Sequence, residues 1–454
     1  MNHAVSSWRQ SLTVYFHPRV ATMLLLGFSS GLPFPLVLTT LSVRLRQSGI
    51  DRTTIGYFSL VGLAYSLKYF WSPLVDRFPL PGLRRLGRRR SWILLTQLLA
   101  ACGLASLALA DPATDTSRFA LLAVFTAFAA AMQDIGVDAW RIEATDVSRQ
   151  GAMAATYQIG YQLALLAGGA GALVAASGHG WSWAYLLMAS CMSIGVGATL
   201  LSDEPAVTVD RATLKQEARV TAFIERAERW PVSLRSVVAW LIGAVVCPFV
   251  DFVSRFGRAS VPLLLLMVTY RWNYMTMGVA ANTYYVDLGF TLDQIALVSK
   301  TFGVLMTMCG ALLAGFLIKR FGVAPTLLIG WLLLTTANLV YAYMAHLPPA
   351  LGWFATAVSI DNIANGIAGT AFIAFMSALT NVAYTATQYA LFGTLWSLPA
   401  KSIASQWGVI VDAWGYGWFF VYTAGIGLPA ACLTLWLLRR YGSGEPQPIR
   451  EGSA

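Results

Sequence analysis

Charge is scarce in this sequence. Only 11% of its 454 residues are Asp, Glu, Lys or Arg, whereas 57% are hydrophobic. A soluble protein of this size cannot hide so much apolar side chain in its interior, so a soluble enzyme or binding module is excluded by composition alone. Metal-ligand patterns are missing too. The four His (His3, His17, His179, His346) are scattered, and the five Cys (Cys102, Cys191, Cys247, Cys309, Cys432) stand singly without a CxxC pair. Neither a structural metal site nor a disulfide framework is expected, and each Cys reads as a buried small hydrophobe. The N-terminus, Met1 to Arg19, is polar and has no short apolar core before a cleavage site, so no signal peptide is expected.

What is present is a succession of apolar runs of about 20 residues, the length that a helix needs to cross a bilayer. The net charge is +10, but the basic residues sit in alternate connections rather than in a nucleic-acid footprint. Twelve spans are read at 20–41, 55–75, 91–110, 118–140, 152–176, 183–201, 260–285, 293–318, 325–345, 351–379, 384–410 and 417–438. Arg84-Arg85, Arg88-Arg89-Arg90, Arg141, Arg149, Arg211 to Arg235, Lys319-Arg320 and Arg439-Arg440 all fall on one side. The other side offers Arg44, Arg46, Arg52 and Arg118. The positive-inside rule therefore predicts that both termini and the central loop are cytoplasmic.

The chain divides into a cytoplasmic N-terminus (1–19), a six-helix bundle (20–202), a linker (203–258), a second six-helix bundle (259–438) and a cytoplasmic tail (439–454). Within the linker, 237–253 is apolar but interrupted by Gly243 and Pro248, and is expected to lie on the inner membrane surface. As a thirteenth span it would invert the second half and put Lys319-Arg320 outside. The halves echo each other: Trp71-Ser-Pro-Leu-Val-Asp76-Arg77 closes span two and Gly315-Phe-Leu-Ile-Lys319-Arg320-Phe-Gly322 closes span eight. An all-α integral membrane protein follows, with two pseudo-symmetric six-helix bundles around a central cavity, as in the major facilitator fold. Asp76-Arg77…Gly87-Arg88-Arg89-Arg90 resembles that superfamily's signature loop, and Asp76, Arg77 and Arg88 are the expected gating residues. In the repeat, Lys319 stands where an acid would.

Asp134 and Asp138 lie one turn apart within span four, at a depth where an ionised group is costly unless paired or hydrated. Lys68 in span two and Asp134 fall roughly 12 and 10 Å from the inner surface at helical rise, so they can pair. Asp138 and the adjacent Arg141 could instead be a structural helix-end pair. Asp134, Asp138 and Lys68 are the expected proton-coupling residues. Arg271 and Lys300 suit substrate carboxylates. Trp272 and Asn273 in span seven, Asp361, Asn362 and Asn365 in span ten, and Gln388 and Lys401 in span eleven add polar candidates, with Gln133 and Gln162 supplying amides for sugar hydroxyls or peptide groups. Tyr65, Tyr157, Tyr161, Trp272 and Trp396 could stack on sugar rings, although single aromatics in a membrane protein are more often packing. Gly31-Leu-Pro33-Phe-Pro35 breaks span one and makes Ser29, Ser30 and Gly31 candidate cavity wall. Gly160, Gly168-Gly169 and Gly171 are expected at close helix contacts.

Several stretches together resemble the AmpG family of anhydromuropeptide permeases. They are Gly27-Phe-Ser-Ser-Gly31-Leu-Pro33, Ile55-Gly56-Tyr-Phe-Ser-Leu-Val-Gly62, Lys68-Tyr-Phe-Trp71-Ser-Pro73-Leu, Gln133-Asp134-Ile…Asp138-Ala-Trp140, Lys300-Thr301, Asp361-Asn362…Gly369-Thr370-Ala-Phe372 and Ala386-Thr387-Gln388-Tyr389-Ala390-Leu391. The likeness runs from about residue 20 to 440. It implies proton-driven import of N-acetylglucosaminyl-1,6-anhydro-N-acetylmuramic acid and its peptides from periplasm to cytoplasm, for cell-wall recycling and, in some bacteria, β-lactamase induction. Family function would carry over to Gly31, Gln133, Asp134 and Asp138. One departure concerns span seven, where family members show an acid three residues after the Lys or Arg; here Tyr270-Arg271-Trp-Asn-Tyr274 lacks it, and Asp361 could take its place.

The resulting expectation is an inner-membrane, monomeric permease working on sugar-peptides and protons, with no cofactor, no metal and no nucleic-acid partner. A siderophore or other bulky-solute permease would look much alike. A membrane-embedded enzyme on cell-wall lipid intermediates is disfavoured by the two-half repeat and by the lack of an acid cluster able to hold a metal with a diphosphate. A sensor would need an added soluble domain.

Overall fold

A computed structural model describes residues 14–78, 80–146, 149–206 and 246–442. Most of the linker and the outermost terminal residues expected above lie outside the described residues. Among those described, every regular element is helical. Ten helical stretches are long and apolar enough to cross a membrane. Spans two and eleven are not among the ten, although both are helical. Span two is a chain of short pieces, from Arg52–Phe58 through Leu63–Ser66 and Lys68–Phe70 to Ser72–Arg77; span eleven is Thr385–Ala404.

The last break in span two, ahead of Ser72–Arg77, follows from Pro73. Its missing N–H and its ring forbid the helical bond to Tyr69, and the freed Tyr69 carbonyl accepts the Ser72 hydroxyl at 2.9 Å. Span one breaks for the same reason into Pro18–Gly31, Pro33–Val37 and Thr39–Gln47. Span five carries a π-turn, Ala167–Gly171, opposite that break. A π-turn leaves a carbonyl unpaired, and Thr40 Oγ1 donates to Gly168 O at 2.8 Å. Lower down, the two spans nearly touch: a Cβ on Gly160 would stand 2.0 Å from Leu24 O, and one on Gly27 2.4 Å from Tyr157 O. Gly168 has a similarly close approach to Pro35, whereas Gly169 has nothing nearby and Gly171 meets only its own segment.

Spans one and five, three and four, and three and six pack together in the first half. The core there is built from residues such as Leu36, Leu104, Ala127 and Tyr185. In the second half spans eight and ten, nine and ten, and nine and twelve pair, around Leu266, Leu327, Phe375 and Phe392. Gly415, at φ 75°, makes the turn into span twelve. The outward faces are apolar and exposed (Leu121, Val174, Leu201, Trp418), as a lipid-facing surface requires. Cys102, Cys309 and Cys432 lie on exposed positions and only Cys247 is buried, which corrects the expectation that each Cys fills a core.

Ahead of span seven (Ser260–Thr269, then Trp272–Asp287) an amphipathic helix, Cys247–Phe256, stops at Gly257. Phe252 packs edge-on against Phe392 at 5.3 Å, and the Asp251–Arg255 face docks on the start of span eleven.

Among the contacts that join the halves, two are related by the pseudo-symmetry: span five with span eight, and span eleven with span two; span five also meets span ten, and span eleven meets span four. At the first, Gly151 lets Ile318 approach. At the second, Asp76 Oδ2 accepts from Thr387 N at 2.8 Å and Thr387 Oγ1 at 2.7 Å, and Oδ1 accepts from Ala386 N at 3.1 Å. A carboxylate at a helix N-terminus answers its unpaired N–H groups and its dipole. Arg89 donates to Asp76 Oδ1 at 2.7 Å and pairs with Glu143. Arg89, which was not among the expected gating residues, makes the ion pair with Asp76. Arg88 instead donates to the Asp76 carbonyl at 2.8 Å and approaches Glu143 at 3.7 Å. The side chain of Arg77 lies outside the described residues.

Candidate functional site

Between the halves lies a cavity of about 400 Å³, in the range of a small-molecule site. Its first-half wall holds Phe34, Tyr65, Ser66, Lys68, Asp134, Asp138, Tyr157, Gln158, Tyr161 and Gln162. The opposite wall holds Arg271, Tyr274, Met275, Asn365, Gly369, Phe372, Ile373, Met376, Tyr389, Gly393, Trp396, Ser397 and Lys401.

The charged floor is the cluster around Lys68. Its ammonium donates to Asp134 Oδ2 at 2.8 Å and to Asp138 Oδ2 at 3.5 Å. Asp134 Oδ1 also accepts from the Ser30 hydroxyl at 2.7 Å and from Tyr157 at 2.9 Å. Asp138 Oδ1 stands 3.5 Å from Arg141, which donates to Ser377 Oγ of the other half at 2.8 Å and lies 5.1 Å from the Tyr389 ring centroid. Lys68 is where span two unwinds, so backbone irregularity and charge coincide beside a cavity, where a bilayer protein tolerates both. The side chains of Lys68 and Asp134 are 15% and 14% exposed, enough for a proton to reach them through the cavity and too little for water to screen the pair.

Tyr65, Tyr157, Tyr161, Gln162, Arg271, Asn365, Trp396 and Lys401 line the cavity. Other candidates do not. Gln133 is fully buried inside the first bundle and donates to Ser29 Oγ at 2.9 Å; one residue from Asp134, it points about 100° away. Ser30 is buried and acts on the Asp134 carboxylate rather than on the cavity. Gly31 lies against Tyr161 and Ala164 as a packing contact. Asn273 is buried, its Oδ1 taken by Tyr274 N, and Trp272 is half-buried off the cavity wall. Asn362 is held by Thr307 and the Val358 carbonyl against span eight. Asp361 makes no ion pair among the described residues and does not reach the wall. Gln388 is engaged below the cavity: it donates to Pro248 O and Asp251 Oδ2 and accepts from Asn381 N at 2.7 Å. The Lys300 side chain lies outside the described residues.

Residues that the sequence reading missed lie on regular stripes. Gly369, Phe372, Ile373 and Met376 join the expected Asn365 in span ten, and Tyr389, Gly393 and Ser397 join the expected Trp396 and Lys401 in span eleven, each set following the period of one helix face. That spacing was the available signal. Tyr274, at the position where the family's acid is absent, stacks under Arg271 at 4.2 Å.

Residues 20–401 match the Major Facilitator Superfamily. The anhydromuropeptide permease of Escherichia coli K12 is 35% identical over 430 residues, covering 94% of this chain and 81% of the relative. Among solved structures, the proton:xylose symporter XylE superposes with a TM-score of 0.66 at 13% identity, over 97% of this chain and 98% of that one. FucP in the outward conformation gives 0.64 at 15%, over 95% and 100%. These last two likenesses establish the fold. With the match to the permease they make this chain a multi-pass membrane protein of the AmpG family, within the major facilitator superfamily.

Proposed function

We propose that the protein imports anhydromuropeptides from periplasm to cytoplasm, driven by protons, for peptidoglycan recycling. The observation that carries this reading is the Lys68–Asp134–Asp138 cluster, set in the wall of a cavity between two halves that can rock. The identity to a permease of that name supplies the substrate class. Tyr65, Tyr161, Gln158 and Gln162 offer hydroxyls and amides to a sugar, and Phe372 and Trp396 offer apolar faces to the ring or to a peptide side chain.

In this reading both termini are cytoplasmic and the membrane is the bacterial inner membrane. The bonds between halves include Asp76 to span eleven, Arg141 to Ser377 and Tyr15 to Leu312 O at 3.0 Å, at the Arg-rich end and the cavity floor, and also Lys401 and Thr394 to Ser66, farther along spans two and eleven. A proton taken up by Asp134 removes the charge that holds Lys68; Lys68 turns wholly to Asp138, and the floor around Ser30 and Tyr157 relaxes. The proton gradient is the energy source and no cofactor takes part. Imported muropeptide would also reach the machinery of β-lactamase induction in a host that has one.

The test is uptake of labelled anhydromuropeptide into cells lacking their own permease, with and without an uncoupler. Accumulation abolished by the uncoupler supports the reading. Uptake of a siderophore with no uptake of muropeptide overturns it.

A further inference from the structure

Three cations line the cavity among the described residues, and they are not equivalent. Lys68 is neutralised by two carboxylates. Arg271 and Lys401, both in the second half, have no acid within ion-pair distance among the described residues. Arg271 Nη2 donates to Asn365 Oδ1 at 3.1 Å, but its Nη1 is shielded from water and has no hydrogen-bond partner among them. The side of Nη1 is left open by Gly369: a Cβ there would stand 3.4 Å from it. Lys401 is exposed, and its ammonium is held only by Ser66 Oγ of span two, at 2.8 Å. A buried charged donor without an acceptor is costly, and a carboxylate is the acceptor that returns most.

We propose that Arg271 and Lys401 form a two-point anchor for carboxylates of the substrate, which fixes its acidic peptide end against the second half. The assignment rests on the permease reading and adds to it which end binds where. Asn365 and the Tyr274 ring hold the Arg271 guanidinium in one orientation, so it is the fixed point. Lys401 is the movable one, since a substrate carboxylate takes it from Ser66. That exchange also loosens a bond between spans two and eleven, so binding of the anion acts directly on the contact between halves.

The experiment uses the full-length protein in liposomes, with labelled anhydromuropeptide in two forms: free carboxylates, and the same compound amidated. The wild type should favour the free acid by about tenfold or more, the worth of one charge-assisted bond. Arg271→Gln and Lys401→Gln should each bring that ratio towards one, while Lys401→Arg keeps it. Gly369→Ala should lower it with every charge in place. Because Lys401 is exposed, its Gln variant guards against misfolding of the Arg271 variant. A ratio unchanged in both Gln variants, or a wild type that carries both forms equally, overturns the anchor and leaves the permease reading standing. A wild type that carries neither form overturns both.

Discussion

Replacing Asp134 by Asn changes one atom of the cavity floor and so isolates the charge. Oδ1 can still accept from Ser30 and Tyr157, whose donors lie at 2.7 and 2.9 Å. The new amide N–H₂ then faces the Lys68 ammonium, which is 2.8 Å away in the parent, and donor meets donor. Breaking a buried pair by removing one partner costs about 3–5 kcal/mol when the remaining charge is left alone. Here it is not alone: Asp138 waits at 3.5 Å and can close on Lys68. The net loss should fall to or just below the lower end of that range, about 2–3 kcal/mol, and the protein should still fold.

Function should respond far more than stability. In proteoliposomes with an imposed pH gradient, Asp134→Asn should equilibrate labelled muropeptide without concentrating it, whereas exchange of label across equal concentrations should persist. Asp138→Asn should be milder in the same assay, because Lys68 keeps its shorter partner. The reasoning is refuted if Asp134→Asn still accumulates substrate against its gradient in proportion to the proton gradient.

Asp76→Asn weakens three hydrogen bonds that close spans two and eleven, together with the Arg89 bond that holds the carboxylate, so the open form at that end should gain by about one to two powers of ten, read as faster labelling of a cysteine placed at the Arg-rich end; an unchanged rate would remove Asp76 from the gate. Gln388→Leu should loosen the Cys247–Phe256 helix, seen as faster hydrogen exchange there, and leave the half-saturating substrate concentration unaltered; a large rise in that concentration would return Gln388 to the substrate site.

The division into halves, the break in span one and the Lys68–Asp134 pairing were legible because each depends on order along the chain: run length, Pro placement and distance from a basic boundary. What sequence could not give was helix phase. Gln133 and Asp134 are neighbours, yet one faces Ser29 inside the bundle and the other the cavity. Arg88, Arg89 and Arg90 are equally basic, but the helix starts at Gly87, and that start sends Arg89 to Asp76 and Glu143 and Arg90 to the Thr199 and Leu200 carbonyls. Gln388 and Asn362 fell on the wrong side of the same question. Their neighbours Tyr389 and Asn365 fall on the wall.

The same polarity explains why spans two and eleven fall short of the apolar length that the other helices reach. Each must serve the cavity with Lys68, Ser66 or Lys401 and also meet the other at the closing contact, so polar groups accumulate where hydrocarbon would demand Leu. Departures from a local rule concentrate where function requires them. The symmetry-related contact of spans five and eight carries no such load: Gly151 and Ile318 pack there, and Gln150 spends its amide on the carbonyls of Ile142 and Thr145. Lys319 stands where Asp76 stands in the repeat, and a cation cannot answer the unpaired N–H groups of a helix start. One contact is thus a polar latch that charge can open and the other an apolar bearing. In the proposed transport cycle, rocking about the bearing while the latch releases would give the two halves a direction of motion that a symmetric pair of contacts would lack.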